Sequence, residues 1–395
     1  FSSTSIYCCL KRNLDNMRTH VFIVNDSTFP SHLQYLFAGT GAYNQKRKIW
    51  LDEHIGLLSD IKRVREGDLV IFYIEASRKI KGGFYGIFKI AEQNPIVFHT
   101  PGESGFQPSL NTHKLIYRTL IIPYEVYSEG VPEWEVLDKL PVYSTDIQWS
   151  LIYRKLKGKR GCTPLLSWEA QRLMDIIRNK NQGRPIANTQ SRAGFDWNKT
   201  NRRIITTKCQ RRYPYPRRFD FDIFNALYEL WKQGKAYESY LELYFTANIG
   251  IDNKLDAIVG NHPMWFGNQV ACGMGMQKID ILTICKNKGE IEYRIIELKD
   301  EVVKPDIVEQ MEYYINWASQ KKGRHLDGAL SRNIQPIVVA PKITKKLRAN
   351  GTPSKRWDSI VKAFKSFNKM RLAKPILYFE FELGNRNIDF IKVGY

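Results

Sequence analysis

The hydrophobic pattern is most regular between Gln277 and Lys299. Ile279, Ile281, Leu282 and Ile284 belong to one run rich in β-branched residues, Lys288-Gly289-Glu290 interrupts it, and Ile291, Tyr293, Ile295, Ile296 and Leu298 belong to a second. Two such runs around a short glycine turn predict an antiparallel hairpin. Behind it, Ile307, Met311, Tyr314 and Ala318 recur at helical spacing, with Pro305 suited to a first helical position. Residues 334–340 predict a buried strand, Trp357, Ile360, Val361 and Phe364 the buried face of a helix, and 376–381 and 388–393 two closing strands. Ahead of the hairpin, Phe224, Leu227, Leu230 and Trp231 trace a helix that stops at Gly234, and 237–244 predict another. Alternating helices and strands of this kind make an α/β domain with a central mixed sheet over residues 220–395.

The first half reads differently. Strands are expected at 20–25, 69–74, 84–90 and 114–124, a helical turn at 32–37, and a helix over 168–177 capped by Ser167. Residues 18–179 therefore form a mainly β domain with peripheral helices. Residues 1–17 are an N-terminal extension with no long apolar stretch after its charges, and so no signal peptide; Met17 is a candidate natural start and 1–16 an appended leader. Between the halves, residues 178–218 hold twelve Lys or Arg against one acid, Asp196, together with Gly183, Pro185, Gly194, Pro214 and Pro216. That composition predicts a basic linker or arm over 180–219. Its plain reading is a solvated connector. Its functional reading is an arm along DNA phosphates through Arg202, Arg203, Arg211, Arg212, Arg217 and Arg218, with Phe195, Trp197, Tyr213 and Tyr215 interleaved.

Charge then narrows the partner. The 395 residues carry a formal charge of +20 and a sequence pI of about 9.5, with 43% hydrophobic and 25% charged residues. A globular chain so basic calls for a polyanion. No apolar run approaches the ~18 residues of a membrane span, so a membrane is not expected, and nucleic acid is. The six cysteines, Cys8, Cys9, Cys162, Cys209, Cys272 and Cys285, include no closely spaced pair, so neither a zinc site nor a disulfide framework is expected. They read as reduced thiols of a cytoplasmic protein.

The hairpin carries the chemistry. Asp280 lies early on the first strand and Glu297 late on the second, so an antiparallel return brings both carboxylates to one end; Lys299, two residues on, shares the face of Glu297. Two carboxylates can hold a divalent cation that polarises a phosphate and activates water, and a lysine can orient that water or offset developing charge. Asp280, Glu297-Leu298-Lys299 and Gln310 with Tyr314 resemble the D…ExK…QxxxY pattern of PD-(D/E)XK nucleases of the RecB-like and NucS-like kind. The proline that often precedes the first acid is absent here. The resemblance implies a restriction-endonuclease-like core, Mg2+ (with Mn2+ as a substitute) at Asp280, Glu297 and Leu298, and catalytic roles for Asp280, Glu297, Lys299 and Gln310. It also implies a helical glutamate upstream, for which Glu242 fits better and Glu238 stays open.

A second resemblance covers about Arg18 to Asn179. The strand ending at Val24-Asn25, then Phe29, then Gly67-Asp68-x-Val-x-Phe-Tyr73 and Gly83-x-x-Gly86-Ile87, looks like an EVE domain of the PUA and YTH superfamily. Typical EVE domains carry a tryptophan where this chain has Val21-Phe22. The resemblance implies a PUA-like mixed β-barrel that reads a modified base in an aromatic pocket. Phe29, Trp50, Tyr73 and Trp149 are the expected cage residues, with Asn25 or Asp26 on the base edge. Together the halves suggest a modification-dependent DNA endonuclease acting on double-stranded DNA, as a homodimer because two strands need two active sites. A lesion-specific repair nuclease and a non-catalytic nucleic-acid-binding protein are the alternatives.

Overall fold

The structure is a computed structural model that describes residues 18–41, 43–44, 49–50, 54–78, 80–91, 96–98, 115–136, 160–213, 221–272, 277–319, 331–344, 346–347, 351–385 and 387–395. The chain is a mixed α/β protein that divides into two compact units, with the break between Phe221 and Asp222. Among the described residues, no helix is long and apolar enough to cross a membrane.

The first unit is a curled mixed sheet. Its strands are β1 (Thr19–Val24), β2 (Phe37–Thr40), β5 (Leu69–Ile74), β6 (Gly83–Ile90), β7 (Ile96–Phe98), β8 (Tyr117–Val126), β9 (Val131–Pro132), β10 (Cys162–Leu165) and β11 (Ala187–Asn188), while β3 (Tyr43–Asn44) and β4 (Ile49–Trp50) make a separate short pair. The main path runs β10-β1-β5-β6-β8-β11, parallel only between β1 and β5. Strand β8 serves two neighbourhoods. Its second half pairs with β6 and its first half with β2 and β7, which turns the sheet back on itself. Register shifts between Val70 and Phe72 and between Ile87 and Phe88 mark the bends expected of bulges. Gly86, at φ 66°, sits at the first, where a Cβ would lie 2.4 Å from the Phe88 ring.

Helices α1 (Phe29–Tyr35), α2 (His54–Lys62) and α3 (Ser167–Lys180) accompany this sheet. The helix expected at 32–37 begins three residues earlier and ends at Tyr35, because Leu36 turns left-handed at φ 46° and Phe37 enters β2. Asp68 organises the start of β5. Its carboxylate accepts from His20 Nε2 at 2.8 Å, Arg18 Nε at 3.1 Å and the Arg65 amide at 2.9 Å. The Gly-Asp-x-Val-x-Phe-Tyr run is thus a structural signature here: the acid locks β1 to β5 while Val70, Phe72 and Tyr73 fill the interior.

The basic stretch expected as a linker is a correction. Residues 187–207 belong to the first unit: β11 pairs with β8, and β12 (Gly194–Asn198) and β13 (Arg203–Thr207) form a hairpin. Phe195, Trp197 and Ile204 are buried while Lys199, Arg203 and Lys208 are exposed. Trp197 donates from Nε1 to Asp26 at 3.0 Å and stands edge-on to Phe29 and Tyr85, with ring centroids 5.0 and 4.9 Å away.

The second unit has a six-stranded mixed sheet in the order β14 (Trp265–Ala271), β15 (Lys278–Asn287), β16 (Glu290–Leu298), β17 (Ile334–Pro341), β18 (Leu377–Leu383) and β19 (Ile388–Val393). The hairpin β15–β16 is closed by Lys288 and Gly289, both at positive φ, the two-residue geometry that matches strand twist. Parallel pairs β16–β17 and β17–β18 are linked through α7 (Ile307–Ser319) and α8 (Lys355–Met370). Helices α4 (Ile223–Lys232), α5 (Glu238–Asn248) and α6 (Asp256–Val259) cover one face, burying Leu227, Leu241, Phe245 and Ile258 against Ile281, Ile296, Leu298, Ile337 and Phe379. On the other face Trp357 of α8 packs tilted against Tyr378 and Phe364 meets the same ring edge-on. The sheet is thus buried on both sides, as parallel pairs require.

Candidate active site

Strand period and register place the first three side chains. Ile281 pairs with Ile296, so the next step along the hairpin sets Asp280 against Glu297. The Leu298 amide donates to Asp280 Oδ2 at 2.9 Å, which puts the Leu298 backbone beside the acid pair while its side chain lies in the core. Lys299 Nζ donates to Glu297 Oε1 at 2.6 Å, and Gln310 Nε2 on α7 donates to the same oxygen at 2.7 Å. Tyr314, one turn on, accepts from Gln310 at 2.5 Å and donates to the Lys278 carbonyl at 2.7 Å, fastening α7 to the first residue of β15. Asp280, Glu297, Lys299 and Gln310 therefore converge.

Glu242 reaches the cluster from α5. It is buried and accepts from Asn268 Nδ2 at 2.7 Å and Gln269 Nε2 at 2.6 Å, and Gln269 Nε2 also donates to Asp280 at 3.1 Å. Glu238, at the start of α5, lies 3.9 Å from Lys299 Nζ and is half-exposed. The helix is held in place by a residue the sequence reading passed over. Asp300 accepts from the amides of Tyr237 and Glu238 at 2.9 and 3.3 Å, so the strand that presents Glu297 and Lys299 also caps α5. Beyond Lys299 and Gln310 a cavity of about 320 Å³ opens, lined also by Val303, Lys304 and Asp306.

Burial sets the electrostatics. It pushes the Asp280 carboxyl well above its ordinary range, and the charge of Glu297 beside it pushes further. Burial raises Glu297 as well, by more than the Lys299 charge and its hydrogen bonds lower it. For Lys299, burial works against the ammonium, but the Glu297 charge outweighs it and the group is raised. Glu297 Oε2 is buried with no N–H donor and has the Asp280 carboxyl as its neighbour, an arrangement that a hard cation would complete. Among the described residues, no three His, Cys, Asp or Glu side chains converge in metal-binding geometry. Asp280 and Glu297 with the Leu298 backbone are the groups that could hold an ion, a donor set suited to Mg2+, which keeps several waters and takes only one or two carboxylates.

The expected base pocket fares differently. Phe29 and Tyr73 are fully buried: Phe29 packs on Phe72 and Trp197, and Tyr73 donates to Glu133 at 2.7 Å. As they stand, neither ring offers a face to a base, so both are core residues and not cage walls. Asn25 spends its side-chain oxygen on Ser27 and on the Thr28 amide, shaping the turn into α1, and Asp26 is held by Trp197. The side chains of Trp50 and Trp149 lie outside the described residues, as do Arg217 and Arg218. Arg202 and Arg203 line a cavity of about 390 Å³ with Lys81, Lys180, Tyr85 and Glu129. Arg202 donates to the Lys81 carbonyl at 2.9 Å and Arg203 pairs with Glu129. Arg211 and Arg212 are exposed, Arg211 donating to Gln34 at 3.2 Å.

No family model and no curated protein matches the chain. Among solved structures, a hypothetical protein from Leishmania major is 10% identical with a TM-score of 0.28, covering 42% of this chain and 96% of its own. The human THYN1 protein, solved in complex with 5-methylcytosine-containing DNA, is 11% identical with a TM-score of 0.25, covering 42% of this chain and 99% of its own. A Pseudomonas syringae protein is 16% identical with a TM-score of 0.26, covering 40% and 99%. Similarity at this level identifies no shared activity.

Proposed function

We propose that the chain is a modification-directed DNA endonuclease, in which the first unit reads a modified base and the second hydrolyses a phosphodiester bond with Mg2+. The observation that carries this is the meeting of Asp280, Glu297 and Lys299 at one end of a hairpin, with the Glu297 Oε2 oxygen buried and lacking an N–H donor. Asp280 and Glu297 would hold the ion, which when bound supplies Lewis-acid polarisation of the phosphate. Lys299, kept charged by Glu297, is placed to bind a non-bridging oxygen or orient the attacking water. Gln310 fixes Glu297 from α7, and Tyr314 fixes Gln310.

Double-stranded DNA as partner is supported by the +20 charge and by the cations around the first unit's 390 Å³ cavity. The reader role rests on the resemblance of Gly67 to Tyr73 to EVE domains. Its test is direct titration of the full chain, with Ca2+ in place of Mg2+, against paired oligonucleotides with methylated, hydroxymethylated, glucosylated or plain cytosine. A small apolar group filling a pocket adds roughly 1–3 kcal/mol, so a preference of about ten- to a hundredfold for one modified member is expected. Equal affinity across the panel would remove the reader and leave a nuclease of the repair kind.

A further inference from the structure

Strand β14 contains a conformation that nothing in its sequence announces. Gln269 stands in the middle of the strand at φ 48°, between Asn268 and Val270, which keep the regular pairing with Ile281 and Ile279. Residues with Cβ adopt this left-handed region at a cost, and single strained residues persist where the surrounding structure fixes them. What fixes it here is the acid cluster. Neighbouring side chains of a regular strand point to opposite faces, yet Asn268 and Gln269 both donate to the carboxylate of Glu242, at 2.7 and 2.6 Å. The turn in the backbone lets both reach it. It also lets the same Gln269 amide reach Asp280 at 3.1 Å, across the sheet from α5.

Resting on the nuclease reading, we propose that Gln269 is a positioning residue that couples Glu242 to Asp280 and so sets the affinity of the acid pair for a divalent cation. Its amide is neutral at every accessible pH and donates to two carboxylates that would otherwise repel across a buried gap. It acts through those carboxylates and needs no contact with substrate. Gln310 plays the matching part for Glu297 on the other side, so each member of the pair is held by one side-chain amide from a separate element.

Substitution can separate strain from function. Gln269→Gly keeps the left-handed backbone at no steric cost and deletes the amide. Gln269→Asn also tolerates that backbone but is one methylene shorter. Ca2+ binding is measured by calorimetry on the full chain without DNA, alongside thermal unfolding in a chelator. The expected result is that Gln269→Gly binds Ca2+ about 10- to 100-fold more weakly, the loss usual when a group holding a ligand is removed, while relief of the left-handed backbone offsets part of the stability lost with the two hydrogen bonds. Gln269→Asn should fall between. A purely structural role predicts that cation affinity simply tracks the unfolding temperature across Gln269→Gly and Gln269→Asn, and unchanged affinity in Gln269→Gly overturns the proposal outright. Wild-type chain that binds no Ca2+ or Mn2+ would instead overturn the nuclease reading on which it rests.

Discussion

Trp197→Ala tests whether the basic hairpin is an integral wall of the first unit. The side chain is buried, lies edge-on to Phe29 and Tyr85, and donates to Asp26. Removing a buried Trp costs about 3–5 kcal/mol, because transfer energy is lost and a large cavity remains. The Nε1 hydrogen bond contributes about 1 kcal/mol of that, which Trp197→Phe would isolate. For a unit of some two hundred residues, about 4 kcal/mol corresponds to a fall of roughly 10 °C in its unfolding temperature. Scanning calorimetry of the full chain should therefore show one transition moved down by that amount and the other unmoved. A shift within the roughly ±0.5 kcal/mol typical of exposed substitutions would refute the packing account and restore a free arm.

Two further outcomes follow from local geometry. His32 is fully buried, and burial lowers its pKa to about 3, so the fold accommodates only the neutral ring. A base with a depressed folded pKa contributes stability that is present above its unfolded value near 6.5 and lost as pH falls; the loss at pH 5 is about 2 kcal/mol. Denaturant titrations at pH 8 and pH 5 should show it, and His32→Phe should flatten that slope even though it forfeits the bond to the Phe37 carbonyl. At the hairpin turn, Lys288 holds a left-handed backbone that Asn adopts more easily. Lys288→Asn should stabilise the second unit by up to about 1 kcal/mol, and a lower unfolding temperature would contradict the turn assignment.

Legibility in the sequence followed how far local pattern decides structure. The hairpin 277–299 was readable from two apolar runs around a glycine turn and helix 307–319 from its 3.6-residue period, and Asp280, Glu297, Lys299 and Gln310 sit on those elements. Strand β14 was missed because Asn268 and Gln269 put polar groups where a strand would show alternation; they are turned toward buried acids that lie far off in sequence. The β12–β13 hairpin was hidden by the basic, glycine- and proline-bearing stretch around it, which masks the short alternation of Phe195 and Trp197. Phe29 and Tyr73 went astray for another reason. An aromatic on a strand or helix declares burial of a face, not whether that face meets a core or a ligand, and here the neighbours Phe72, Trp197 and Glu133 decide it.

The central claim is tested most directly by incubating the full chain and Glu297→Ala with Mg2+ and one plasmid prepared in two forms, with and without modified cytosine. Methylated cytosine is the first form to try, followed by the hydroxymethylated and glucosylated bases. The account predicts Mg2+-dependent cleavage of a modified plasmid, little on the unmodified one, and none by Glu297→Ala. Cleavage that survives in Glu297→Ala, or no cleavage of any form with Mg2+ or Mn2+, would contradict it.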